Sequence, residues 1–359
     1  MKRIVFLVTM LLFVAQAAQT PRVTLWTGFA AADFKNATLS NLLKSPDFRL
    51  PADKKEGTLE TAPIIGRFDT VVLSWNGITP DKTSLLIEAR GKLAGGWTKY
   101  YRIGLWTTDL GQLRRSYDRQ SDKNANIDTD TISFSSLAEA LQIRITFSSD
   151  TAGISPTLVA LAAVLSDSNQ HYQVVPTTSD KTAWGKDLNV PMRSQMIYPN
   201  GGRVWCSPTS TTMLLEYWSA KLGRKLADTV PEAVKYVWDS TYKGAGNWSF
   251  NVAYAGSKGL QAYVNRLGSL TEAEKYIAKG VPLILSIAWD EGRLDGAAIP
   301  SSNGHLLVLR GFTAAGDPIV NDPAAATDSE VRRVYKRAQL EKVWIEASGG
   351  IVYVTEPRP

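Results

Sequence analysis

The chain has 359 residues, 44% of them hydrophobic, and 40 Lys and Arg against 34 Asp and Glu give a net charge of +6. That length suits two domains of ordinary size, each able to bury a core. No basic run is dense enough for a nucleic-acid groove, and there is no low-complexity segment or internal repeat, so the surplus charge reads as mild affinity for anionic surfaces.

Lys2-Arg3, an apolar run from Ile4 to Val14 and Ala15-Gln16-Ala17 form the charged, hydrophobic and small-residue parts of a secretory signal peptide over residues 1–17. The run is shorter than the roughly 20 apolar residues a spanning helix needs, so cleavage near Ala17 is expected, with no transmembrane segment left in the mature protein. The expected location is secreted, periplasmic or in the cell envelope. Paired cysteines are useful in an oxidising compartment, yet this chain has one cysteine, Cys206, and nothing to pair it with. A leftover thiol in such a setting marks a candidate reactive group.

Residues 20–168 read as an all-β sandwich, jelly-roll-like. Leu141, Ile143, Ile145 and Phe147 alternate with polar residues, the period of a strand with one wet face. Thr70 to Trp75, Ser84 to Arg90, Tyr100 to Trp106 and Thr157 to Leu165 are further strands, separated by Asn76-Gly77, Pro80-Asp81 and Gly95-Gly96. Trp26, Trp75, Trp97 and Trp106 fall here; they serve either as core or as a platform for stacking sugars, which would make this an accessory domain with glycan contact. Asp122, Asn124, Asn126 and Asp128 resemble a calcium loop, but Ile127 and Ser133 stand where Gly and Glu are needed, so a solvated loop is the better reading and no metal is expected.

Residues 169–186 are polar and read as a linker, with His171 inert inside it. From 187 to 359 the texture is mixed α and β. Helices are expected from Cys206, over Val230–Trp238, at Asn247–Ala253, from Ser269 and at Gln339–Trp344. Strands are expected at Gly259–Leu267, which alternates like a half-exposed strand, and at Val281–Ala288, His305–Phe312, Pro318–Asn321, Val331–Tyr335 and Gly350–Thr355.

The chemistry concentrates in this half. Pro199-Asn200-Gly201-Gly202 leads into Cys206-Ser207-Pro208, after which Met213, Leu214, Tyr217, Trp218 and Leu222 recur with the period of a half-buried helix. Cys206 therefore sits at a helix N-terminus, where the dipole and free N–H groups lower a thiol pKa. A thiolate nucleophile needs a base, a group to orient the base, and an oxyanion donor. His305 starts a strand, and Asp322 ends the next one, across the turn Ala314-Ala315-Gly316-Asp317. A hairpin would bring the two within reach. Upstream, Gln195 follows Val190-Pro191 and offers a side-chain amide beside the Cys206 N–H.

The order Gln195, Cys206, His305, Asp322 resembles the papain-like family of bacterial double-glycine leader peptidases, numbered thirty-nine among the cysteine peptidases, in its exported stand-alone branch. The likeness covers about residues 187–356, including Val190-Pro191 through Gln195, Gly304-His305, Asn321-Asp322-Pro323, Trp344 and Val352-Tyr353-Val354. It implies an α+β papain-like cysteine peptidase domain behind the sandwich. By position it makes Cys206 the nucleophile, His305 the base and acid, Asp322 the orienting group, and Gln195 part of the oxyanion hole. Ser207 stands where the family usually has Gly. With one histidine and one cysteine in this half, neither a zinc site nor a cofactor is expected.

The expected function is an exported cysteine peptidase acting on a peptide or peptidoglycan-type amide. The alternative is a papain-like fold without catalysis, binding peptide or glycan in the envelope.

Overall fold

The computed structural model describes residues 23–44 and 47–358; the expected signal peptide lies outside the described residues. Among them no helix is long and apolar enough to cross a membrane. The first half forms strands β1 (Val23–Gly28), β2 (Thr38–Ser40), β3 (Glu56–Glu60), β4 (Ile64–Ile78), β5 (Thr83–Leu93), β6 (Gly96–Trp97), β7 (Tyr101–Trp106), β8 (Arg115–Ser116), β9 (Ala125–Asp128), β10 (Thr131–Ser149) and β11 (Thr157–Ser166). They join antiparallel in the order β1-β11-β4-β10-β5-β7-β8, with β2, β3, β6 and β9 at the sides.

Strand β10 folds this sheet over. Its start pairs with β4 and β9, while Ala140–Ser149 pairs with β5 and Arg144–Ser148 also with β3. Register shifts between Ser133 and Ala138 and between Ala138 and Ala140 mark the bulges where it bends, as an extra residue in one strand requires. Leu141, Ile143, Ile145 and Phe147 are fully buried, so the period-two pattern does mark the inner face of a β-sandwich.

The loop that resembles a calcium site is a turn with its carboxylate already engaged. Asp122 accepts from the backbone N–H of Asn124 and Ala125 and from the Tyr101 hydroxyl, and pairs with Lys99 at 2.8 Å. The sugar platform also fails for two of its four tryptophans. Trp75 and Trp106 are 1% and 0% exposed, because both pack on Phe250 from the second half.

The second half contains helices α1 (Cys206–Leu222), α2 (Val230–Val237), α3 (Trp248–Ser257), α4 (Leu270–Ala278) and α5 (Arg337–Ser348). Its strands are β12 (Leu260–Arg266), β13 (Leu283–Trp289), β14 (Ser302–Phe312), β15 (Pro318–Asn321), β16 (Arg332–Val334) and β17 (Ile351–Pro357). They form one antiparallel sheet, ordered β12-β17-β13-β14-β15-β16. Helix α1 packs on β14 and is flanked by α2 and α3. Its residues Ser207 through Leu215 are all buried, so it is a central helix rather than the half-buried one its period suggests. Strand β12 likewise departs from alternation: every residue is buried, because the sandwich strands β4 and β11 pack on it.

The connection over 169–186 is packed, not free. Buried Glu274 accepts from the Asp180 N–H and the Trp184 indole and pairs with Arg337 at 2.7 Å. His171 is 1% exposed and shares a hydrogen bond of 2.9 Å with Ser166.

The two halves meet through hydrogen bonds from side chain to backbone as well as aromatic contact. The buried Asn76 amide donates to the Ala262 carbonyl at 2.7 Å and accepts from the Ala262 N–H at 3.0 Å. Ser74 accepts from Val264 N–H, and Ser249 donates to the Leu73 carbonyl. Gly256 is required beside Asn76, since a Cβ there would lie 2.4 Å from the amide. Replacing Asn76 with Ala leaves both Ala262 groups unpaired in a dry interface. The expected cost is roughly 2 to 5 kcal/mol, read as a lower denaturant midpoint; an unchanged midpoint would refute this role for Asn76.

Candidate active site

Gly201, with φ of 117°, and Gly202 turn the chain into α1. The close approach at Gly202 tolerates no side chain, because a Cβ would meet the Gln195 carbonyl at 2.0 Å. This contact holds the Gln195 segment against the start of α1. Further bonds fix it: Gln195 N–H donates to the Pro323 carbonyl at 2.8 Å, and the Gly202 N–H donates to Tyr198 O at 3.1 Å. Gln195 is 2% exposed and its amide oxygen has no partner among the described residues.

Cys206 is the first residue of α1 and half-buried. Ser207 is buried and its hydroxyl meets the Tyr353 hydroxyl at 2.9 Å. The space beside the helix start therefore accommodates the Ser that departs from the family pattern. One turn later Ser210 donates to the Leu306 carbonyl at 3.0 Å, tying α1 to β14 next to His305.

His305 is the fourth residue of β14, opposite Ile287 on β13. Strand β15 pairs with β14 through Val308–Asn321 and Leu309–Val320, the hairpin the sequence suggested. The imidazole Nε2 meets Asp322 Oδ1 at 2.8 Å, and both side chains are buried. That contact leaves Nδ1 as the ring nitrogen for the thiol. Trp289 closes over the imidazole edge-on, with centroids 5.6 Å apart.

Tyr335, beyond β16, was not singled out from sequence. Its hydroxyl donates to Asp322 Oδ2 at 2.6 Å, and the Ala324 N–H donates to Oδ1 at 3.0 Å. Its only sequence signal was an aromatic at the end of a short strand, which is commonplace. Arg310 supports the same corner, binding Asp187, the Val190 carbonyl and Asn321.

Burial opposes charge on all three groups, but their neighbours outweigh it. Burial raises the Cys206 thiol, while the His305 hydrogen bond and charge, with the Leu306 and Ser207 N–H groups, bring it below its ordinary value. Burial lowers His305, yet Asp322 and Cys206 push it up to about 10. Asp322, raised by burial, is held below the usual carboxylate range chiefly by His305, then by Tyr335 and Ala324. The set favours a thiolate beside an imidazolium backed by a carboxylate.

Cys206, His305 and Gln195 open into one cavity of about 640 Å³. The structure thus brings all four sequence candidates to one corner: Cys206, His305 and Gln195 line the cavity and Asp322 lies behind His305. Among the described residues no group of three or more Cys, His, Asp or Glu is arranged to hold a metal.

Comparison with known proteins defines the class first: residues 187–352 match the Peptidase_C39 like family, and residues 56–166 match the Peptidase C39 N-terminal domain. Residues 187–352 thus form a domain of the C39-like peptidase family, preceded by the N-terminal domain described for C39 peptidases. No curated protein matches it. Among solved structures, a C39-like peptidase from Bacillus anthracis is 15% identical with a TM-score of 0.33, covering 48% of this chain and 100% of its own. The potassium-bound carbohydrate recognition domain of Emp46p is 13% identical with a TM-score of 0.25, covering 37% of this chain and 89% of its own.

Alkylation by iodoacetamide reads the thiol directly. The apparent pKa of Cys206 is expected below the free-thiol value of about 8.5. The ion pair should last until His305 loses its proton near pH 10. His305→Ala should raise the thiol pKa. A thiol indifferent to His305 would overturn the ion pair.

Proposed function

We propose that this protein is an exported papain-like cysteine peptidase that hydrolyses a peptide or amide bond. The observation that carries the reading is the juxtaposition at one cavity of Cys206 on a helix start, His305 bound to Asp322 at 2.8 Å, and the buried Gln195 side chain. Family membership supports a peptide substrate, and the signal-like start of the chain supports export.

In the proposed reaction the Cys206 thiolate attacks the carbonyl carbon, forming a C–S bond and an oxyanion. The Cys206 N–H and the Gln195 side-chain amide hold that oxyanion. The imidazolium of His305 protonates the leaving nitrogen as the C–N bond breaks, leaving a thioester and a neutral imidazole. His305 then takes a proton from water, which attacks the thioester and releases the acid and Cys206. Asp322 remains ionised and fixes the tautomer with its proton on Nε2. Tyr335 holds the far oxygen of Asp322 and so sets the plane of the carboxylate.

A pool of internally quenched peptides tests this, read by mass spectrometry. Wild type should cleave at defined bonds and Cys206→Ala should not; cleavage that survives in Cys206→Ala would sink the proposal. Gln195→Ala is expected to lower kcat by about 10²- to 10³-fold, the usual cost of one oxyanion donor.

Tyr335→Phe should lower kcat about tenfold, equivalent to one charge-assisted hydrogen bond, with KM little changed. A change in KM alone would remove Tyr335 from the positioning role.

A further inference from the structure

The cavity in front of Cys206 is not built by the peptidase domain alone. Asp128, Thr129, Asp130 and Thr131, at the tip of the β9–β10 hairpin of the sandwich, line it together with Cys206 and His305. Strand partners Asp128 and Thr131 leave a two-residue turn, with Thr129 in the left-handed region at φ of 50°. That conformation suits Gly and is uncommon for a β-branched residue, so the tip is held by its surroundings.

The anchor is Asp130, 8% exposed, whose Oδ2 accepts from the Trp248 N–H at 2.8 Å at the start of α3. A second tie holds the opposite lip. Asp239 Oδ1 accepts from the Ser116 N–H of β8 and from the Thr241 and Tyr242 N–H groups, placing the exposed Tyr242 in the cavity wall. The thiol, both hairpin aspartates and Tyr242 line this one space.

Apart from Cys206, His305 and Tyr242, the ionisable side chains lining this cavity are Asp128, Asp130 and Arg203. Asp128 is exposed and its nearest partner is the Thr129 hydroxyl at 3.4 Å. Among the described residues neither hairpin carboxylate is in an ion pair with a Lys or Arg. Gln195 lines the same cavity.

We propose that the β9–β10 hairpin tip is a specificity wall of the substrate cleft, where Asp128, on a turn anchored by the buried Asp130, receives a cationic group of the substrate. That group is an ammonium or guanidinium, from a lysine or arginine side chain or a free peptide α-amine. The inference rests on the peptidase reading for turnover, but not for binding.

Pairs of peptides that differ only in lysine against norleucine, each with a free or acetylated N-terminus, test it on the full two-domain chain. Binding is read by calorimetry with Cys206→Ala, and kcat/KM with an intact cysteine. The cationic member should be favoured about fivefold, as for a partly exposed ion pair, and Asp128→Asn should abolish that ratio. Asp118→Asn, an exposed carboxylate of the same domain that does not line the cavity, should keep it. A lysine effect that persists after acetylation assigns a side chain; an effect that acetylation removes assigns the α-amine.

Turnover without charge preference, or a preference that survives in Asp128→Asn, overturns the wall and leaves the peptidase. Cation-selective binding lost in Asp128→Asn, with no peptide cleaved, supports the wall and overturns the peptidase.

Discussion

The structure depends on keeping one carboxylate ionised where there is almost no water. Asp322 is 0% exposed, and an isolated charge at such a place would cost several kcal/mol or simply take a proton. Four features prevent this: the imidazole at 2.8 Å, the Tyr335 hydroxyl, the Ala324 N–H, and a hairpin register that fixes all of them relative to β14. Removing one partner is more damaging than the bond's own worth, because the others remain aimed at a charge no longer satisfied. The same charge makes the thiolate possible. His305 holds its proton chiefly because Asp322 faces it, and Cys206 loses its proton chiefly because His305 keeps one. The corner made by α1, β14 and β15 is therefore an electrostatic unit as much as a packing unit.

What could be read from sequence follows from how local each feature is. The β10 alternation, the position of Cys206 at a helix start and the β14–β15 hairpin are short-range matters, and the backbone follows them. Helix α1 misled in one respect: its apolar stripe is narrow, but its threonines and serines are buried too, in contacts made by remote segments. Thr211 meets Asn251 and Ser207 meets Tyr353, neither of which has a local signature. Strand β12 misled for the same reason, since its second buried face is supplied by the sandwich. Tyr335 and Arg310 act through tertiary geometry alone; an aromatic after a strand and an arginine within one are ordinary until their partners are known.

The tryptophans of the sandwich show how composition can suggest a surface where there is an interface. Trp75 and Trp106 meet Phe250 edge-on or tilted, in the geometry such rings prefer. Their burial, with the paired Asn76 amide beside Gly256, makes the junction resemble a core more than a flexible contact between neighbours. The connecting segment adds to this, since Glu274 binds it at two points. A sandwich held this firmly can transmit position.

That firmness bears on the cleft. A peptide-binding wall works only if its groups keep their place, because each loose ångström weakens a charge contact and blurs discrimination. Asp130 caps α3 while Asp239 of the neighbouring loop takes the N–H of Ser116, so each domain satisfies backbone groups of the other around the same opening. These are buried acceptors with fixed geometry, unlike surface ion pairs, which salt would screen. The thiol site and its outer wall thus come from different domains yet share one rigid frame. Under the proposed wall, selection of substrate would change by substitution at the hairpin tip while the Asp322 carboxylate is left undisturbed.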